Sequence, residues 1–360
     1  MPGGKDNPLL AGRFRRPGSL MVSFVMPASH CASSALDPLI RHPLMRSLAF
    51  VGAGQRVSRE RLVAAGHLLV AGKVRRRGRG ELVDGAGHAH ELDVVSAISQ
   101  VLPTLVISDL LDIDPSLRQD FQRWTAAYMK SFALVLDDEQ LAALREMQKF
   151  FADTIAERRR VPGTDLISAA VTAEMEGMHL TDRDLLQFAN LLLIAGSETT
   201  THLITNTVLC VQQHPDLADR IRRDPAVLPA VIDEVLRYLS PVQTAPRATD
   251  ITMYDHVIPA GSMVFPWLGA ANRDPDEFDE PDTFSIDRKR GKHLAFGHGI
   301  HFCLGAALAR LETEIVLTTM LARLPGRWDV PDMLRVFPAQ EMCGLVSLPL
   351  QWGRAAANGS

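Results

Sequence analysis

Several features are scarce in this 360-residue sequence, and each absence excludes a class of protein. Its four cysteines lie far apart, without the pairing of a disulfide framework or the spacing of a zinc site; they are Cys31, Cys210, Cys303 and Cys343. A disulfide scaffold is therefore excluded, and a reducing compartment is indicated. No hydrophobic run approaches the length of a membrane span, and no internal repeat is present.

The net charge is also small, and this argues against nucleic acids and anionic membranes as partners. The formal net charge of −4 predicts neither nucleic-acid binding nor attraction to an anionic membrane. The basic run at residues 73–79 is interpreted as a solvated loop. An apolar stretch at Leu20–Met26 follows three arginines at positions 13, 15 and 16, but it is short and stops at Pro27. A cytoplasmic location is therefore favoured over secretion.

The residues that most clearly indicate a functional site surround one cysteine. Cys303 lies between Gly297, Gly299 and Gly305, with His301 two residues before it. Apolar residues then recur near the helical period, at Leu304, Leu308, Leu311 and Ile315. This pattern places the cysteine on a glycine-rich loop at the start of a helix, where backbone N–H groups favour a thiolate. Three interpretations remain open: a buried structural cysteine, a nucleophile with His301 as base, and an axial thiolate on heme iron.

A second unusual segment lies inside a long predicted helix. Thr181 and Asp184 form a capping-box pattern, and the helix is expected to run to about His214, where Pro215 follows. Gly196 in its middle costs about 1 kcal/mol of helix propensity relative to alanine, and the neighbouring hydroxyls compete for backbone carbonyls. Such a segment indicates a functional site; the alternative, a polar stripe facing solvent, is disfavoured by the apolar residues before it. Further helices are predicted at residues 91–112, 117–135 and 137–160.

Residues 296–306, read as FGHGIHFCLGA, resemble the heme-binding signature of the cytochrome P450 family in its bacterial form. The resemblance extends over residues 37–352 and implies a mainly α-helical fold with a small β region, in which a long distal helix crosses a heme held by the cysteine loop. Residues 1–36 are an irregular leader not mapped to the family, and residues 353–360 are a tail. Family members carry a longer segment before residue 37, so we expect a shortened N-terminal region.

The resemblance implies a role for each matched residue around heme b, iron protoporphyrin IX. Cys303 would ligate the iron, Phe296 would pack against the thiolate, and Gly297 and Gly305 would shape the loop. The family's propionate-binding positions fall on His42, Arg46, Arg247 and His301. For His42 and Arg46 a solvated basic helix end is the alternative, and for Arg247 an exposed strand arginine.

On the distal side, the resemblance makes Ala195 and Gly196 the residues that leave room for dioxygen. Thr199 would hydrogen-bond the oxygen bound at the iron, and Glu198 would relay protons from solvent. The substrate cavity would be shaped by Leu193, Ser197, Val242, Gln243 and Val346. Away from it, Glu234, Arg237 and Arg288 would form a buried network that locks the cysteine loop.

The function implied is a heme-thiolate monooxygenase that inserts one oxygen atom from dioxygen into a mostly apolar small molecule, by hydroxylation or epoxidation. No flavin or nicotinamide fingerprint is present, so electrons would come from NAD(P)H through a ferredoxin reductase and a ferredoxin. An acidic ferredoxin would be attracted by Lys289, Arg290, Lys292 and Arg310. The alternatives are a non-catalytic or defective heme-binding protein and a cysteine hydrolase.

Overall fold

The structure is a computed structural model, and it describes residues 90–131, 136–175, 178–245, 247–249, 252–253, 256–259, 262–288, 292–337 and 341–353. The expected leader, the proposed propionate ligands His42 and Arg46, and the basic residues Lys289 and Arg290 lie outside the described residues. Within the described part of the chain, no helix is long and apolar enough to cross a membrane.

Helices make up most of the described chain. In chain order they are α1 (Val101–Leu110), α2 (Arg118–Ser131), α3 (Asp138–Arg160), α4 (Leu166–Thr172), α5 (Asp182–Gln213), α6 (Pro215–Arg223), α7 (Leu228–Tyr238), α8 (Leu268–Ala271) and α9 (Ala306–Arg323). A π-helical turn at Val95–Ser99 precedes α1, and 3-10 turns lie at Pro115–Leu117, Pro225–Val227 and Gly299–His301.

The strands are short and pair in an antiparallel manner. They are β1 (Glu91–Asp93), β2 (Glu174–Met175), β3 (Met178–His179), β4 (Arg247–Thr249), β5 (Thr252–Met253), β6 (His256–Val257), β7 (Ser262–Val264), β8 (Trp328–Asp329) and β9 (Pro349–Trp352). The largest sheet in the described residues has the order β1-β9-β8, with Leu92 opposite Leu350 and Asp329 opposite Gln351. The others are the two-stranded pairs β2-β3, β4-β7 and β5-β6. A mainly helical fold with a small β region is confirmed.

The predicted helix at residues 91–112 was wrong at its start. Residues Glu91–Asp93 form β1 because they pair with β9, more than 250 residues further along the chain. Asp93 strengthens this connection, since its carboxylate accepts the backbone N–H of Leu348 at 3.0 Å. A distant strand thus outcompetes the local helical pattern.

The long helix α5 begins and ends where the sequence predicts. The Thr181 hydroxyl accepts the N–H of Asp184 at 3.2 Å, and the Asp184 carboxylate accepts the N–H of Thr181 at 3.1 Å. This reciprocal capping satisfies two donors that a helix start leaves free. At the other end Pro215 starts α6, and the N–H of His214 still reaches the carbonyl of Cys210 at 3.1 Å.

Two hydrophobic cores meet on α5. Its first half packs with α2, α3 and α4 through Leu185, Ala189 and Leu193. Its second half packs with α6, α7, α9 and the β1-β9-β8 sheet through the residues Leu203, Ile204, Val208, Leu209 and Val211. The polar segment around Gly196 lies between the two cores, so the fold leaves the unusual residues of α5 at the boundary of its two packed halves.

Candidate functional site

The cysteine loop is held by its own backbone. The N–H of Cys303 donates to the carbonyl of Phe296 at 2.8 Å, which closes the loop between them. Within it Gly297 has φ of +71° and Gly299 has φ of +64°, values that residues with a Cβ rarely adopt. Gly305 is the residue before α9, and a Cβ there would lie 3.9 Å from the Cys303 sulfur. The glycines therefore let the chain turn tightly around the thiol.

The surroundings of the Cys303 thiol shift its pKa in opposing directions. Burial raises the pKa of the Cys303 thiol, while the Gly305 N–H and the positive charge of Arg310 act in the opposite direction. Burial outweighs the helix start on which the sequence-based expectation of a thiolate rested. A cation placed against the sulfur would reverse this balance, because metal coordination deprotonates a thiol.

An ion pair beside the loop was not predicted from the sequence. The Arg310 guanidinium donates to the carboxylate of Asp233 at 2.9 Å and lies over the Phe296 ring, 4.5 Å from its centroid. His293 approaches the same carboxylate, with Nε2 at 3.6 Å. Arg310 is thus fixed between α7 and the Phe296 ring, and its charge is partly neutralised by Asp233. Its expected role in attracting a ferredoxin stays a prediction.

The predicted network behind the loop is confirmed. Glu234 and Arg237 are buried and form a two-bond ion pair with both distances at 2.8 Å. Arg288 reaches the same carboxylate with Nε at 3.5 Å and donates to the carbonyl of Thr283 at 2.8 Å. Glu234 also accepts the backbone N–H of Ser285 at 2.9 Å. The network ties α7 to the segment that leads into the cysteine loop.

On α5, one line of side chains is open although the helix is largely buried. Leu191, Ala195 and Thr199 are spaced by four residues and share a face. Leu191 is 40% exposed, Ala195 is exposed, and Thr199 is half-buried. The Thr199 hydroxyl donates to the carbonyl of Ala195 at 2.7 Å. The helix therefore presents an open stripe at its centre, with the half-buried carboxylate of Glu198 beside it.

Two of the residues expected to line the substrate cavity face a core instead. Leu193 is fully buried among the apolar side chains of α2 and α3, and the Ser197 hydroxyl is buried and donates to the Leu193 carbonyl at 2.8 Å. The prediction for these two was wrong because they lie on the opposite side of α5 from the open stripe. Val346, in the C-terminal segment, is exposed.

The other predicted ligands are placed as follows. His301 is exposed and ends the 3-10 turn before Cys303. Arg247 begins β4, where its backbone pairs with Val264. His42 and Arg46 lie outside the described residues.

The residues around Cys303 fit a flat apolar iron cofactor. Phe302 and Leu304, on either side of the cysteine, are 44% and 49% exposed, which is unusual for large apolar side chains. In the described residues, no cluster of three or more His, Cys, Asp or Glu could hold a bare metal ion. A loop that presents one thiol between two exposed apolar side chains fits a metal whose other ligands belong to a cofactor, as on heme iron.

One residue of functional interest was missed altogether. His202 lies one helical turn after Glu198 on α5, and its Nε2 is 3.3 Å from the Glu198 carboxylate. The only sequence signal was the i, i+4 spacing of an acid and a histidine.

Comparisons with known proteins agree with this geometry. The family model described as Cytochrome P450 matches residues 89–350. The chain is 40% identical over 278 residues to Cytochrome P450 107B1 of Saccharopolyspora erythraea, covering 76% of this chain and 68% of the relative. It is 37% identical over 300 residues to Cyclomarin C epoxidase CymV of Salinispora arenicola, covering 81% and 72%. The crystal structure of CYP109E1 from Bacillus megaterium in complex with testosterone superposes with a TM-score of 0.75 at 35% identity, covering 87% of this chain and 84% of that one.

One of these relatives is named an epoxidase, and a further relative, 38% identical over 285 residues, is named Erythromycin C-12 hydroxylase. Such names support an active enzyme over a non-catalytic heme binder or a cysteine hydrolase. The loop around Cys303, the open stripe of α5 and the family match point to the same chemistry. This chain therefore belongs to the cytochrome P450 family, whose members bind heme and use dioxygen and a redox partner as monooxygenases.

Proposed function

We propose that this cytochrome P450 hydroxylates or epoxidises a mostly apolar small molecule, with Cys303 as the axial ligand of heme iron. The observation that supports this most is the open stripe of Leu191, Ala195 and Thr199 in the middle of a helix that is largely buried. A helix so placed has an apolar face to receive a substrate and a hydroxyl and a carboxylate to handle protons. When bound, the heme supplies the oxygen chemistry.

Glu198 and Thr199 are proposed as the catalytic residues of the chain. The Glu198 side chain is 14% exposed, so water can reach its carboxylate from outside. The Thr199 hydroxyl currently donates to the Ala195 carbonyl, and rotation about its side chain would turn that donor toward the open stripe. A proton taken up at Glu198 could thus be passed to a hydroxyl that faces the substrate side.

Heme binding is proposed to use the residues expected from the family pattern. Phe296 and Gly297 would shape the thiolate side, together with Gly305. Propionates would be held by His42, Arg46, Arg247 and His301. Ala195 would leave room for dioxygen. For Gly196 the surroundings favour a packing role, since the space of its missing side chain is filled by Ile107.

The proposed substrate is mostly apolar with some polar groups. The open apolar side chains that support this are Leu191, Trp267 and Val346. The names of two relatives support this proposal: one is named a cyclomarin C epoxidase, and another was crystallised with testosterone.

We propose that electrons come from NAD(P)H through a ferredoxin reductase and an acidic ferredoxin that docks on the cysteine side. The support is the cluster Lys289, Arg290 and Lys292 in the sequence just before the cysteine loop, of which Lys292 is described and exposed. Reversing the charge of Lys289 and Arg290 should slow electron transfer, and the effect should shrink as salt is added. Unchanged transfer kinetics at low salt would contradict the docking site.

The catalytic unit is proposed to span residues 37–352 as one domain, with residues 1–36 and 353–360 outside it. A cytoplasmic location is proposed as well. Cys210 and Cys303 are free thiols, which suits a reducing compartment.

The first experiment is the absorption spectrum of the reduced protein exposed to carbon monoxide. A strongly red-shifted Soret band is expected if the Cys303 thiolate ligates the iron. Cys303→Ala should lose that band, whereas the matched control Cys343→Ala should keep it. A heme band without the shift in the wild-type protein would contradict the proposed ligand.

A second experiment tests the proton route. With redox partners and NADPH, Thr199→Ala and Glu198→Gln should consume NADPH but divert it to peroxide, lowering product formed per NADPH by about tenfold. Unchanged product yield in both variants would contradict the roles of these two residues.

A further inference from the structure

His202 has an environment that its position on a core helix does not explain. Its side chain is 1% exposed, and among the described residues neither ring nitrogen has a hydrogen-bond partner. A buried imidazole without partners is costly, because the polar ring loses its contacts with water. A side chain that is kept in spite of this loss of stability often has a functional role.

The nearest polar group is the carboxylate of Glu198. Nε2 of His202 lies 3.3 Å from Oε1 of Glu198, close enough for a hydrogen bond but not aligned as one. Catalytic hydrogen bonds are often poorly aligned in the absence of substrate and tighten in the working complex. A small rotation of the Glu198 side chain would align this contact.

The ring is held on its other side by the C-terminal segment. The Phe337 ring packs edge-on against it, with centroids 4.7 Å apart. Gly344 comes so close that a Cβ there would lie 2.0 Å from Nδ1 of His202. Phe337 and Gly344 are joined to each other, since the Phe337 N–H donates to the Gly344 carbonyl at 2.9 Å. The imidazole therefore has little freedom to turn.

We propose that His202 is a positioning residue for Glu198: its ring, clamped by Phe337 and Gly344, donates a hydrogen bond from Nε2–H that orients the Glu198 carboxylate for proton delivery. The inference rests on the proposed role of Glu198. The clamp belongs to the same C-terminal segment as the exposed Val346. Contact between a substrate and this segment would consequently be transmitted to the proton-relaying carboxylate.

A double-mutant cycle on the holoenzyme tests the proposal. His202→Leu should lower product per NADPH by about tenfold, the size expected for losing one hydrogen bond to a charged group. His202→Gln can still donate a hydrogen bond and should retain more of the yield. In a Glu198→Gln background, His202→Leu should have no further effect, because the two residues act through one contact. A loss of the same size in both backgrounds would overturn the proposal.

The cycle also separates this proposal from the proposed function. If Glu198→Gln leaves the product yield unchanged, the proton role of Glu198 fails, and the proposal that depends on it is overturned too. If Glu198→Gln lowers the yield and His202→Leu does not, only the positioning role of His202 is overturned. Thr207→Val is the matched control, since Thr207 is equally buried on α5 and its hydroxyl donates to the Leu203 carbonyl at 2.7 Å.

A second readout does not depend on turnover. In protein labelled with ¹⁵N-histidine and held in the diamagnetic reduced carbon monoxide form, the ring signals of His202 are identified by their loss in His202→Gln. Glu198→Gln should shift those signals, and Thr207→Val should not. Gly344→Ala should shift them as well, because the added methyl group displaces the ring. His202 signals unmoved by Glu198→Gln would show that the two side chains are not in contact.

Discussion

Gly196 lies directly beneath Ile107, so that a Cβ on Gly196 would be 2.4 Å from Cδ1 and 2.7 Å from Cγ1 of the isoleucine. These distances are too short for two carbon atoms that are not bonded to each other, and the two residues belong to α5 and α1. The glycine thus allows the two helices to pack closely. Its cost in helix propensity is offset by this contact between helices.

Adding a methyl group at Gly196 should therefore destabilise the protein through overpacking. Gly196→Ala is expected to cost about 1–3 kcal/mol of stability, which thermal unfolding of the holoenzyme would detect. Ile107→Ala in the same chain should restore part of the loss by making room. If Gly196→Ala is as stable as the wild type while its product yield falls, the glycine serves the dioxygen site and not the packing of α1.

The buried ion pair behind the cysteine loop gives a second prediction. Arg237→Leu would leave the Glu234 carboxylate without its main partner, at a cost of about 3–5 kcal/mol. Thermal unfolding should show the loss, together with faster release of heme to a competing acceptor. Lys149→Met is the surface control, because its pair with Asp153 is largely exposed and should contribute about 0.5 kcal/mol. Equal effects of the two substitutions would contradict the structural role of the network.

Glu312 provides a prediction for the dependence of stability on pH. The side chain is buried, its Oε2 has no hydrogen-bond partner among the described residues, and burial raises its pKa well above the usual value of 4.5. In the folded state the carboxyl stays protonated at a pH where the unfolded chain has released the proton. Stability from this group is full below the unfolded pKa and falls as the pH rises toward the folded pKa.

Glu312→Gln removes this titration while keeping the shape of the side chain. Thermal unfolding measured across pH 5 to 8, a range of about three units, should show a shallower decline for the variant than for the wild type. Parallel curves for the two proteins would mean that the carboxyl is ionised in the folded state.

The position of Arg310 predicts an effect on the iron. Its charge acts on the Cys303 sulfur and is held in place by Asp233. Because a nearby positive charge favours the reduced state, Arg310→Gln should lower the reduction potential of the heme, on the order of tens of millivolts. Potentiometric titration would measure it, with the exposed Arg327→Gln as control. An unchanged potential in Arg310→Gln would show that its charge is screened by Asp233.

Features that depend on neighbouring residues were fixed by the sequence itself. The caps of α5 follow from Thr181 and Asp184, and the pairing of Glu234 with Arg237 follows from a spacing of three on a helix. The glycines around Cys303 indicated the tight loop for the same reason. Each of these interactions closes within a few residues, so the chain needs no distant partner to form it.

Contacts between distant segments were decided only by the tertiary structure. Arg310 and Asp233 are 77 residues apart in the chain, and nothing in their local sequence pairs them. The same holds for β1 with β9, for Ile107 with Gly196, and for the clamp of Phe337 and Gly344 on His202. Local periodicity states which face of a helix is apolar but not what covers it. For that reason the sequence by itself determined the family, the cysteine loop and the long helix. The packing of whole helices and strands decided which side of α5 is open and how the histidine beside Glu198 is held.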